Sequence, residues 1–227
     1  MFQRIKVPFP QGNRMRFSRL CTAFLLITAS LSALPVSANE GNACVTLTER
    51  ERLLALDVDA FDQDMQGGWR VLAATPGCQA TAAELIRDWR EKHQRSDAIL
   101  FWHEAQVRAE MADTEGAIAL FRQSLKPDAP GNRAWNAYVQ ATRAFMAKDR
   151  PALLRAHETL LQVGPPEDME VKDGKVDVTM DNGQTVTLRW PPNIDVVEGL
   201  MHCFDADYAT AYGPACRKAG APVDHQD

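Results

Sequence analysis

A mainly α-helical chain carrying one small antiparallel sheet is what the sequence predicts, and two observations carry that reading. Between residues 46 and 161, apolar side chains recur at helical spacing in segments separated by short polar or Pro/Gly breakers. In MEVKDGKVDVTMDNGQTVTLRW, residues 169–190, they alternate instead, with Asp173-Gly174 and Asn182-Gly183 as turn signals. The expected organisation is a leader and signal peptide over 1–38, a helical hairpin array over 39–163, a three-stranded β meander over 164–192, and a short C-terminal helical cap and tail over 193–227.

The leader comes first in chain order. Arg16 and Arg19 precede an uncharged stretch from 20 to 34, and Val36-Ser37-Ala38 are small residues placed for cleavage before Asn39. This is the form of a secretory signal peptide, with translation starting at Met1 or Met15. The uncharged stretch is shorter than the roughly 20 residues a membrane helix needs, and no later segment approaches that length. The mature protein is expected in the periplasm or outside the cell, without stable membrane insertion.

Composition narrows the partners. Five of the 25 Lys and Arg lie in residues 1–38 and none of the 30 Asp and Glu do, so the remainder carries 20 basic residues against 30 acidic. A net charge about ten negative disfavours nucleic acid and anionic membranes and leaves a protein or peptide as the expected partner. Past the leader remain Cys44, Cys78, Cys203 and Cys216, whose spacings match no zinc pattern. Four cysteines in an oxidising compartment point to two disulfides.

FDQDMQGGWR, residues 61–70, raises the choice between a binding site and packing. Phe61, Met65, Gly68, Trp69 and Leu72 form a helical stripe, Asp59 is placed to cap it, and Asp62 and Asp64 sit near the positive end of the helix dipole. The spacing therefore predicts a helix over 60–74, antiparallel to one over 46–57, with Gly68 as a helix contact. A calcium site at Asp57, Asp59, Asp62 and Asp64 is disfavoured because the EF-hand glycine and terminal glutamate are missing at the required offsets. Such a hairpin brings Cys44 and Cys78 to the same end, and so favours their pairing.

Further stripes follow: Ala82, Ala83, Leu85, Ile86 and Trp89; Ile99, Trp102, Ala105 and Ala109; Ala117, Leu120, Phe121 and Ser124. Trp135, Tyr138, Val139, Thr142, Phe145 and Met146 make another, and Leu153, Leu154, Leu160 and Leu161 the last. ILFWHEAQVRAEMADTEGAIALFRQSLKPDAP, residues 99–130, places Trp102, Ala105, Ala117, Phe121, Ser124 and a proline in the large, small, small, aromatic, small, proline order of the tetratricopeptide repeat family, which it resembles. Arg108 and His157 stand where that family usually has aromatic residues. The resemblance implies an array of helix pairs that binds a peptide or protein on the face of its first helices. Carried onto this chain, that face is Trp102, Gln106 and Glu110, then Asn136, Gln140 and Arg143. The last three share one helix face, so their joint replacement by Ala is expected to leave folding within about 1 kcal/mol.

In the β region, an Asp173-Gly174 turn pairs Val171 with Val176 and Met169 with Val178. A three-residue loop at 181–183 pairs Val178 with Val186 and Val176 with Leu188. That register keeps the alternate apolar residues from Met169 to Trp190, Met180 among them, on one face. The meander is too small to stand alone and must dock that face. Beyond it, Gly213-Pro214 should break the final helical segment and turn Cys216 back towards Cys203.

Catalytic signals are sparse, and no cofactor is implied. His202, Asp205 and Asp207 in HCFDAD are the residues an alternative metal-assisted or acid/base enzyme would use, and an immunity-type inhibitor acting through the meander is a third reading.

Overall fold

The Thr46 hydroxyl accepts the Glu49 amide at 3.1 Å and so opens α1 (Leu47–Leu54). A five-residue π turn (Asp59–Gln63) and α2 (Arg70–Ala74) follow, then α3 (Gln79–Lys92), α4 (Ala98–Glu110) and α5 (Thr114–Gln123). Next come α6 (Arg133–Met146), α7 (Arg150–Leu161), the hairpin β1 (Lys175–Thr179) with β2 (Thr185–Arg189), and α8 (Ile194–His202), α9 (Tyr208–Tyr212) and α10 (Pro214–Lys218). This computed structural model describes residues 44–167, 169–179 and 185–218. The signal peptide over 1–38, its cleavage point after Ala38, Met180, the loop at 181–183 and the tail with His225 lie outside the described residues. Among the described residues no helix is long and apolar enough to cross a membrane.

Two aspartates start the second helices of the central hairpins. Asp113 accepts the Gly116 amide at 3.1 Å ahead of α5, and Asp149 accepts the Ala152 amide at 3.0 Å ahead of α7. Just before them Ala112 and Lys148 turn the chain with left-handed φ of 61° and 54°. The predicted stripes supply most of the core: Trp102, Ala105, Ala117, Phe121 and Ser124 are buried between α4 and α5, and Tyr138, Val139, Phe145, Leu153 and Leu160 between α6, α7 and their neighbours, while Leu154 and Leu161 of the last stripe are exposed on the outer side of α7.

Two apolar cores share α4. Leu100 and Val107 join Phe61, Trp69, Leu72, Leu85, Ile86 and Trp89 on one side, while Trp102, Ala105 and Ala109 join α5, α6, α8 and α9 on the other. Ion pairs knit α3 to α4. Arg90 and Glu104, both buried, pair with each other, and Glu104 also meets Arg108 at 2.9 Å, which in turn meets Asp113 at 3.0 Å. Arg108 occupies a place where an aromatic residue was expected, and this chain of charges is its local role.

The first hairpin departs from expectation. α1 ends at Leu54, and 60–74 is no continuous helix. The cap is Asp57 rather than Asp59: its carboxylate accepts the Ala60 amide at 2.9 Å, and Asp64 accepts the Gln66 amide at 2.9 Å. Such side-chain bonds compete with helical ones and break the run. Met65 points outward, 75 % exposed, while Phe61, Trp69 and Leu72 are buried as the stripe required. Cys44 and Cys78 nevertheless form a disulfide, as do Cys203 and Cys216.

The sheet has two strands among the described residues, against the three expected. Its register is as the alternation required, with Val178 opposite Val186 and Val176 opposite Leu188. The Asp173-Gly174 turn also forms, both residues at positive φ, with Lys172 bridging Lys175. Pairing stops there, and residues 169–171 are not a strand; a cleft of about 540 Å³ lies between Met169, Glu170 and Lys172 and the sheet residues Val176, Asp177 and Thr187. Alternation reports which side chains share a face and carries no information on whether a neighbouring strand supplies the rungs. Docking is partial too: Val176 is buried, Val178 and Val186 are half-buried, and Leu188 is 48 % exposed. The hairpin is tied down at its base, where Trp190 Nε1 donates to the Val163 carbonyl at 3.0 Å and Arg189 pairs with Glu198.

Candidate partner-binding cleft

Small side chains on α6 and α7 leave room between the two helices on the side facing the end of α5. Ala137, Ala152 and Ala156 line a cleft of about 610 Å³ whose other walls are Leu125, Lys126 and Asp128 from the α5–α6 loop, with Arg133, Asn136, Gln140, Arg155 and Thr159 around it. Arg133, Gln140, Arg155 and Thr159 are exposed along its opening.

The loop wall is held by side-chain bonds. Asn136 uses both ends of its amide on Lys126, accepting its N–H and donating to its carbonyl, each at 2.9 Å. Trp135 Nε1 donates to the Ser124 carbonyl at 2.7 Å, and Asn132 Nδ2 to the Pro127 carbonyl at 3.0 Å. The Lys126 ammonium stands 4.9 Å from the centre of the Trp135 ring, a cation–π contact that keeps the charge by the cleft. Three cations from three separate elements thus converge, with Asp128 the one acid in the lining.

The residues expected to face a partner divide into two groups. Asn136 and Gln140 line the cleft. Trp102 is 3 % exposed and lies in the core against Phe121, Trp135 and Tyr138, so it is not open to a ligand. Gln106 Nε2 donates to the hydroxyl of Tyr208 at 3.3 Å, because α9 lies against that face of α4. Glu110 stays exposed at the edge of the contact, where desolvation raises its carboxyl above the ordinary value. Arg143 is half-buried, and its Nε is shut away from water with no hydrogen-bond partner among the described residues. The face of the first helices is therefore partly occupied by the C-terminal helices, and the open surface lies where α6 meets α7.

A second polar cluster sits in the opening stretch. Asp62 is fully buried, and its carboxylate accepts His103 Nδ1 at 2.7 Å, Trp69 Nε1 at 2.9 Å and Gln63 Nε2 at 2.6 Å, while the Arg70 guanidinium donates to its backbone carbonyl. Burial pushes the Asp62 pKa up, but the His103 and Trp69 bonds and the nearby Arg70 charge outweigh it and hold the carboxyl below its ordinary value. This cluster fastens the π turn to α4. By sequence Asp62 is a dipole partner or, less favourably, a calcium ligand, and neither role is the one it takes; its spacing of seven from Trp69 is the available sign that the two share a side.

The HCFDAD residues do not assemble a metal site. Asp207 caps α9 by accepting the Thr210 amide at 2.8 Å, and His202 Nδ1 lies 3.3 Å from the Cys216 carbonyl. Among the described residues no three His, Cys, Asp or Glu side chains are grouped to hold a metal ion. Comparison with protein-family models, curated proteins and solved structures finds no match, so the cleft stands on its own residues.

Proposed function

We propose that this protein is an exported helical-repeat adaptor, similar to tetratricopeptide-repeat proteins, that binds an extended segment of a protein partner in the cleft between α6 and α7. The observation that carries the reading is the cleft itself. Its floor of alanines is backed by a loop already pinned by Asn136 and Trp135, so little further ordering is needed on binding. Its volume falls in the range of well-formed ligand pockets. Consecutive hairpins with small residues buried at their crossings support the repeat resemblance, and the two disulfides support an oxidising compartment reached through the signal peptide over 15–38.

A photo-crosslinking side chain at position 140, in protein expressed in its native cells, is expected to give a discrete protein adduct in the envelope fraction, with the chain beginning at Asn39. The same group at Glu91, exposed on α3, gives none. Absence of an adduct at 140, or equal adducts at both positions, removes the cleft as the binding surface.

A further inference from the structure

The charge of the cleft runs against the charge of the chain. The whole sequence carries 25 basic and 30 acidic residues, yet Lys126, Arg133 and Arg155 face one acid, Asp128, around the cleft. Elsewhere most arginines, Arg50, Arg90, Arg108, Arg189 and Arg217 among them, meet a carboxylate within 4 Å, while Arg70, Arg122, Arg143 and Arg150 do not among the described residues; what sets the cleft apart is that its cations converge. Neither Arg133 nor Arg155 has such a partner among the described residues, although acidic side chains outnumber basic ones. Unpaired guanidiniums on two helices, converging on one concave surface, make a field that attracts negative charge and a geometry suited to bidentate carboxylate binding.

Resting on the reading of the cleft as the partner-binding surface, we propose that its ligand is acidic: an extended peptide segment whose Asp or Glu carboxylates pair with Arg133 and Arg155. The exposed amide of Gln140 and the alanine floor suit the backbone between those carboxylates, the one as a hydrogen-bonding group and the other as an apolar shelf. A cleft of about 610 Å³ far exceeds what a single inorganic anion fills. A nucleic-acid backbone would carry its dense negative charge past the cleft and over the acidic remainder of the protein.

Fluorescence anisotropy with labelled hexaglutamate and the purified protein tests the assignment. Saturable binding that weakens as salt rises is expected, with hexalysine giving none. An R133Q/R155Q double variant, whose changed side chains are exposed and whose melting temperature should match wild type, is expected to bind at least about tenfold more weakly. Binding should return in part in R133K/R155K. No saturation, equal binding by the double glutamine variant, or displacement of hexaglutamate by inorganic phosphate at equal concentration overturns the proposal. The crosslink from position 140 in the R133Q/R155Q background separates the two readings: an adduct that persists there keeps the partner-binding cleft and discards its acidic specificity.

Discussion

Asp62 carries more of the fold than any other single charge in the opening stretch. It is a fully buried carboxylate whose bonds come from His103, Trp69 and Gln63, so Asp62→Asn, which keeps the shape and loses the charge, should cost about 1–3 kcal/mol. The pH dependence separates charge from shape. Because the folded pKa lies below the unfolded value of about 3.9, the stabilisation from Asp62 is complete above that value and is lost as pH falls through the lowered folded one. On acidification below about pH 4 the melting temperature of wild type should therefore fall more steeply than that of Asp62→Asn. Parallel profiles would show that the charge contributes nothing. Gly68 in the same stretch is constrained by backbone rather than by a helix contact. Its φ is 54°, and a Cβ there would lie 1.9 Å from the Phe61 carbonyl oxygen. Gly68→Ala should thus cost about 3 kcal/mol or more in urea unfolding, well beyond the same change at Gly77, which also has positive φ but nothing within 4 Å. Equal effects at the two glycines would mean that the clash relaxes without cost.

At the scale of elements, the α5–α6 loop is where the expected neutrality of surface changes on α6 breaks down. Helical spacing groups Asn136 with Gln140 and Arg143 as a replaceable set, but Asn136 holds the Lys126 backbone at both N–H and C=O. Asn136→Ala should therefore destabilise the protein by about 1–2 kcal/mol, whereas Gln140→Ala should change stability by less than about 0.5 kcal/mol. Chemical denaturation of the two single variants checks this, and indistinguishable midpoints would refute the loop's dependence on Asn136. Helix faces read from spacing alone locate Asn136 and Gln140 correctly on one side of α6. What the spacing cannot carry is that one amide is already engaged by a loop ten residues away in sequence. The β hairpin shows the same division: its register follows from alternation and turn chemistry, while the missing third strand depends on whether a partner rung is worth forming.

Over the whole molecule, most of the periodic stripes, the break at Gly213-Pro214 and both disulfide pairings were legible because each arises from local geometry or from short connections, whereas the caps at Asp113 and Asp149 came from the structure. The repeat resemblance implied Ala105 and Ala117 as positions of close helix approach, and both are fully buried. The sequence by itself thus determined a helical chain with alternating hairpins, a hairpin sheet in a given register and an overall acidic charge. Tertiary structure alone decided that α9 lies over Gln106 and that Asp62 meets His103 across 41 residues, and it settled Trp102, which the stripe put in the core and the repeat resemblance at the binding face, in favour of the core. It also decided that Lys126, Arg133 and Arg155 share one cleft. The physical reason is range: periodicity and capping are set within a few residues of chain, whereas the covering of a face or the convergence of charges requires elements distant in sequence to choose their neighbours.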